Sequence, residues 1–156
     1  MSKTLEMVVE FQRKYPLTIS WWRKRKHSAI IDRTLTPGEK IIYAFAAQEN
    51  EDGHWIDTAV LALTTKRIIV AKNRILPGFR VISVEAKFFN DVKISSGLIW
   101  GVVRIDTMKE RISFGKIQRK ALIEIKNTIT KCMTEYKKQI PDDLKNEMLE
   151  PSEKCC

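Results

Sequence analysis

WIDTAVLALTTKRIIVA, residues 55–71, decides the fold. It holds two short apolar runs on either side of Thr64-Thr65-Lys66. Trp55–Leu63 reads as one strand and Arg67–Ala71 as the next, with the polar triplet turning the chain between them. Upstream, Ile41, Tyr43, Phe45 and Ala47 alternate with Ile42, Ala44 and Ala46, which is again the period of a strand. The loop between, Gln48–Gly53, contains an Asp52-Gly53 pair suited to a hairpin turn.

The same spacing continues downstream. Leu76-Pro77-Gly78 marks a loop, and Phe79–Ala86 reads as a strand with Ile82 and Val84 inward. Phe88, Phe89 and Val92 read as a loop or helical turn tucked onto the core. Val92–Ser96, Leu98–Asp106 and Arg111–Phe114 complete about seven short antiparallel strands, the pattern of a sandwich or small barrel. Trp100 falls on the opposite strand face from Ile99, Val103 and Ile105, so partial exposure is expected for it. Gly97 and Gly101 are read as marking a turn and a bend.

The period then changes. Ile117, Ala121, Leu122, Ile125, Ile129, Cys132, Met133 and Tyr136 recur at three- and four-residue steps and predict an amphipathic helix over 116–138. Such a stripe can plug the open end of a bent sheet. Near the N-terminus, residues 3–14 read as a short helix with Leu5, Val8, Val9 and Gln12 on one face. Pro16 interrupts it, a second short helix is expected from Ser28 to about Leu35, and Thr36-Pro37-Gly38 supplies turn chemistry. The predicted class is mainly β with α: a barrel or sandwich capped by a C-terminal helix and preceded by a helical extension.

Three stretches carry a resemblance. Leu63-Thr64-Thr65-Lys66-Arg67-Ile68-Ile69-Val70 resembles the "LTxKRLI" strand of small bacterial pleckstrin-homology (PH)-like domains, the YokE-like group. Leu35-Thr36-Pro37-Gly38-Glu39 resembles that group's L-x-x-G-E lead into the first strand, and Ser96–Gly101 followed by Val103 and Ile105 its penultimate hairpin. The likeness spans roughly residues 35–138. It divides the chain into a basic helical extension (1–34), a PH-like domain (35–138) and a polar tail (139–156). It implies a binding module for lipid or protein, without catalysis and without a cofactor. It carries over no ligand residues. Eukaryotic PH domains hold inositol phosphates with basic residues on the first two strands and their loop, whereas here that loop has Glu49, Glu51 and Asp52, with His54 and Asp57 after it.

The 156 residues carry 28 Lys and Arg against 19 Asp and Glu, a net charge of +9. Residues 1–38 hold +5 of it, the strand region +2 and the remainder +2. That excess favours anionic partners: acidic lipid, an acidic protein surface or nucleic acid. No apolar run reaches the ~18 residues of a membrane span, and charges interrupt any signal-peptide core, so a cytoplasmic location is expected, with peripheral contact at the inner face of the membrane as an extension of it. His27 and His54 stand in different contexts and without ligand spacing, so no metal is expected. No nucleophile elbow or phosphate loop is present.

The densest charge is Trp21-Trp22-Arg23-Lys24-Arg25-Lys26. One reading makes it a membrane foot, with indoles at headgroup level and cations toward anionic lipid. The plainer and preferred reading packs Trp21 or Trp22 onto the barrel and leaves Arg23–Lys26 as a solvated loop. Nucleic-acid stacking uses the same residues and ranks third. Arg119, Lys120, Lys126 and Lys131 form a secondary basic face on the predicted C-terminal helix. Cys155-Cys156 resembles the di-cysteine ends of prenylated small GTPases, which makes a prenyl- or palmitoyl-anchored adaptor a further alternative. Protein interaction, including homo-oligomerisation, and association with an anionic phospholipid surface are the two leading functions.

Overall fold

Ser2 starts the chain's first helix: its hydroxyl accepts the Leu5 N–H at 3.2 Å, capping α1 (Lys3–Lys14). The structure, a computed structural model, describes residues 1–17, 19–48, 58–73 and 78–142. The expected Asp52-Gly53 turn, the acidic residues around it, strand residues 55–57, Leu76-Pro77 and the tail 143–156 with its two cysteines lie outside the described residues.

The second helix, α2 (Trp21–Thr34), begins seven residues before Ser28, the expected start. The charge run is therefore helix, not loop. Its buried residues are Lys24, His27, Ser28, Ile30 and Ile31, which recur at helical spacing but are mostly polar. A search for apolar periodicity passes over such a face.

Seven strands follow: β1 (Ile41–Gln48), β2 (Thr58–Thr64), β3 (Arg67–Asn73), β4 (Phe79–Glu85), β5 (Phe89–Ser96), β6 (Trp100–Thr107) and β7 (Arg111–Gln118). They form one antiparallel sheet in the order β4-β3-β2-β1-β7-β6-β5. The turn into β1 is as the sequence suggests. Glu39 N–H donates to Thr36 O at 2.9 Å across Pro37-Gly38, with Gly38 at φ +76°, the left-handed position a type II turn requires. Phe89 and Val92 lie in β5 rather than in a loop, and Phe88 ends a 3-10 turn before it.

β7 runs on to Gln118, so Ile117 belongs to a strand. A 3-10 turn at Arg119–Ala121 intervenes before α3 (Leu122–Lys138), which starts later than residue 116 for that reason. Gly101 pairs with Ile117 and Val103 with Phe114, so β7 carries one extra residue there. A β-bulge absorbs it, with Lys116 at φ +51°.

Over β1–β3 the curled sheet is buried on both its faces. On the concave side Phe45, Leu61, Leu63, Ile68, Val70 and Phe114 meet the α3 stripe of Leu122, Ile125, Ile129 and Met133. Each of these large side chains contributes about 1.5–3 kcal/mol by leaving water. On the convex side Val8, Ile30 and Ile31 cover Ala44, Ala46, Val60, Ala62, Ile69 and Ala71. The four alanines there let helices approach the strands closely. Every residue of β2 is buried as a result. The helical extension is thus a layer of the fold.

The end of α1 reaches further. Phe11 packs against the concave core, its ring 5.5 Å from Phe45 and 5.9 Å from Tyr43. Glu124 of α3 accepts from Tyr15 Oη at 2.7 Å and from Tyr43 Oη at 3.2 Å, and from Lys14. This carboxylate ties α1, β1 and α3 together. Burial pushes its pKa up, but the Lys14 and tyrosine hydrogen bonds outweigh that and hold it down.

Candidate functional sites

α2 divides the basic stretch between two directions. Trp21 is 48% and Trp22 78% exposed, and Arg25 and Lys26 are exposed beside them. Neither tryptophan is packed on the barrel. Lys24 points inward instead: it is buried, donates to Gln12 Oε1, and sits 5.8 Å from the Trp21 ring centre. Burial lowers its pKa. Arg23 is half-buried. Of the six residues singled out from sequence, four face solvent together. Trp21, Arg25 and Ala29, with Met1, Ser2 and Leu5, line a mainly apolar recess of about 310 Å³. The first turn of α2 contains no acidic residue, so its positive dipole end is reinforced by cations.

The secondary basic residues are spread more widely. Arg119 and Lys120 are exposed on the 3-10 turn, and Lys131 is exposed and Lys126 half-buried on α3.

A second exposed apolar group includes Trp100, whose partial exposure the strand alternation predicts, and residues beside it that the alternation does not place outside. Leu98 is 89%, Ile99 62% and Trp100 43% exposed at the β5–β6 turn, and Ile123 on the first turn of α3 is 64% exposed. Val103 and Ile105 are buried as expected, but Ile99 precedes β6 and turns outward with the hairpin tip. The available signal was the bracketing of Leu-Ile-Trp by Gly97 and Gly101, which places apolar residues on a turn.

A groove of about 840 Å³ opens between the β2–β3 turn, the 3-10 turn before β5 and the end of α3, lined in part by Lys66, Arg67, Lys87, Phe88, Tyr136 and Ile140. Tyr136 Oη donates to Thr64 O at 2.7 Å, and burial pushes its pKa up to about 12. Beneath lies a buried carboxylate, Glu39. It accepts from Thr36 N and Oγ1 at 2.9 Å, Thr64 Oγ1 at 2.6 Å, and Arg67 Nε and Nη2 at 3.0 and 3.1 Å. Two of the signature stretches of the sequence, residues 35–39 and 63–70, therefore meet in one network. A family-wide sequence model of the bacterial PH domain matches residues 35–131, which contain this network and all seven strands.

The chain belongs to the bacterial PH domain family.

Solved structures of similar shape include a DUF1696 family protein with a pleckstrin-homology domain from Shewanella loihica PV-4. It is 13% identical, with a TM-score of 0.45, and the match covers 72% of this chain and 91% of that one. Another is a pleckstrin homology domain from Shewanella amazonensis SB2B, also 13% identical, with a TM-score of 0.44, covering 81% of this chain and 97% of that one. No curated protein matches the chain.

Within this bacterial PH domain, no group of three or more His, Cys, Asp or Glu among the described residues could hold a metal ion. Among those residues, no helix is long and apolar enough to cross a membrane. What the described surface offers at α2 is exposed indoles next to cations.

Proposed function

We propose that this bacterial PH domain is a non-catalytic binding module that docks on the anionic inner face of a membrane through α2. Trp21 and Trp22 would lie among the headgroups, with Arg25 and Lys26 against lipid phosphates. The observation that carries the reading is the outward pair of adjacent indoles beside two exposed cations. Indoles favour the membrane–water boundary, where the ring is desolvated while its N–H stays hydrated. Each cation near an anionic surface adds about 1 kcal/mol. The support is stiff: Val8, Ile30 and Ile31 are buried on the sheet, and Thr4 Oγ1 donates to Asp32 Oδ1 at 2.6 Å between the helices. The foot therefore pays little ordering entropy on docking.

Sedimentation with vesicles tests this. Binding is expected with vesicles containing phosphatidylglycerol, to weaken as salt rises, and to fall in the Trp21→Ala/Trp22→Ala variant. Equal recovery with neutral and anionic vesicles would refute it.

A second reading is protein contact by strand addition. It is favoured by β4 and β5, which stand at the two edges of the sheet. A concentration-dependent rise in mass by light scattering supports it, and a monomer throughout, with nothing co-purifying, opposes it.

A further inference from the structure

We infer that the β5–β6 hairpin tip is a second anchor on the same bilayer, with Leu98, Ile99 and Trp100 entering the boundary between headgroups and acyl chains and Arg119 and Lys120 contacting anionic lipid. The inference rests on the reading that the protein docks on an anionic membrane, but not on which residues of α2 make that contact.

The tip is built to keep apolar groups outside. Gly97 N–H donates to Trp100 O at 2.8 Å, closing the turn. Arg119 N–H donates to Ile99 O at 3.0 Å, fastening the tip to the start of α3. Trp100 pairs with Gln118 across the sheet. Next to it, Gly101 is so close to Leu122 and Ser95 that no side chain fits there. Leu98 and Ile99 are thus held away from the core on a firm base. Ile123 adds a fourth apolar side chain from the same end of α3.

Arg119, bonded to the tip through its N–H, and Lys120 next to it are both exposed cations. Residues 92–105 contain no acid; Lys93 among them pairs with Asp106 at 2.7 Å and Arg104 donates to Ser95 Oγ at 2.9 Å. Residues 111–123 contain no acid either, but include Lys116, Arg119 and Lys120. The next acid, Glu124, is engaged by Lys14, Tyr15 and Tyr43. A convex apolar point flanked by Arg119 and Lys120 complements a bilayer surface.

A short span of chain connects the two anchors. Gln118 Nε2 donates to Pro16 O at 2.7 Å, and Gln118 is the cross-strand partner of Trp100. Trp21 follows Pro16 by five residues, at most about 18 Å of chain. A bilayer that meets both tryptophan sites would be held by two linked contacts, which bind far more tightly than either alone.

The test uses the full chain. Trp21, Trp22 and Trp55 are changed to Phe so that Trp100 alone reports, and phosphatidylglycerol-containing vesicles are added with and without brominated acyl chains. Trp100 emission is expected to shift to the blue and to be quenched by the brominated lipid. Leu98→Ser/Ile99→Ser, in otherwise unchanged protein, should weaken vesicle binding about tenfold or more. Both residues are exposed, so unchanged thermal unfolding serves as the control for folding. Vesicle binding with Trp100 unquenched and the serine variant unaffected would overturn the second anchor and leave the α2 foot standing. Loss in the serine variant with Trp21→Ala/Trp22→Ala unaffected would uphold the hairpin and overturn α2 instead. No binding by any form would sink both. A vesicle-free dimer that the serine variant dissolves would assign the tip to self-association and overturn the inference.

Discussion

Arg67 grips Glu39 with two nitrogens, Nε at 3.0 Å from Oε1 and Nη2 at 3.1 Å from Oε2, joining the turn before β1 to the start of β3. Arg67 also donates to Thr34 O at 3.0 Å and Ser83 Oγ at 2.9 Å. One side chain thus connects the end of α2, the turn, β3 and β4. Burial would push the Glu39 pKa up. The hydrogen bonds from Arg67, Thr36 and Thr64 outweigh it and bring the pKa down to about 2 from the ordinary 4.5.

The sign of the pH dependence follows. A depressed carboxylate stabilises the fold fully above its unfolded pKa, and that contribution is lost as pH falls from 4.5 toward about 2. It is worth on the order of 3 kcal/mol at neutral pH. Glu39→Gln should lower urea-unfolding stability by that order at pH 7, and the gap between variant and parent should shrink at pH 3. A gap independent of pH would show that folding does not lower the Glu39 pKa.

Gly101→Ala should destabilise the domain by about 1–3 kcal/mol. A Cβ there would lie 2.4 Å from Leu122 Cδ1 and 2.7 Å from Ser95 O. The leucine can turn aside, but the Ser95 carbonyl belongs to the neighbouring strand. Thermal unfolding measures the loss, and an unshifted midpoint would contradict the packing of α3 on this hairpin.

Removing residues 1–34 should leave a chain that aggregates. The deletion strips Val8, Ile30 and Ile31 from the convex face and exposes Val60, Ala62, Ile69 and Ala71. Ile31→Ala in the whole chain is the milder probe and should cost about 2–5 kcal/mol, since Ile31 is wholly buried. A monodisperse fragment 35–156 with full stability would refute a structural role for the two helices.

Glu124→Ala should free the end of α1. It leaves the largely buried Tyr43 hydroxyl without its acceptor, a loss of about 1–3 kcal/mol. Hydrogen exchange should quicken in the last turn of α1, from Phe11 to Tyr15, ahead of the strands. Uniform acceleration across the sheet would instead mean that the carboxylate supports the whole core.

Much of this architecture is legible in single residues. Alternation through Ile41–Ala47 and the runs on either side of Thr64-Thr65-Lys66 announce strands. Leu122, Ile125, Ile129 and Met133 announce the helix that fills the concave side. Thr36-Pro37-Gly38 announces its turn. The second half of α2 is legible from Ser28 onward, but its first half stays hidden because Lys24, His27 and Ser28 share the inner face with the isoleucines. The start of α3 was misplaced because Ile117 fits both the helical stripe and the last position but one of β7. At the candidate sites, residue types could be named in advance, but their directions could not. Lys24 turns inward from the middle of its basic run, and Leu98 and Ile99 turn outward from an apolar one.

The order of elements and the strand–helix grammar are local properties, written in periods of two and 3.6 and in glycine and proline, and the sequence alone determines them. Which face of each element meets water depends on what lies across from it. Only the tertiary structure decided that β1–β3 are covered twice, that Glu39 meets Arg67, and that Trp22 and Leu98 stay uncovered. Burial is a relation between distant segments, and no short window of sequence contains both partners.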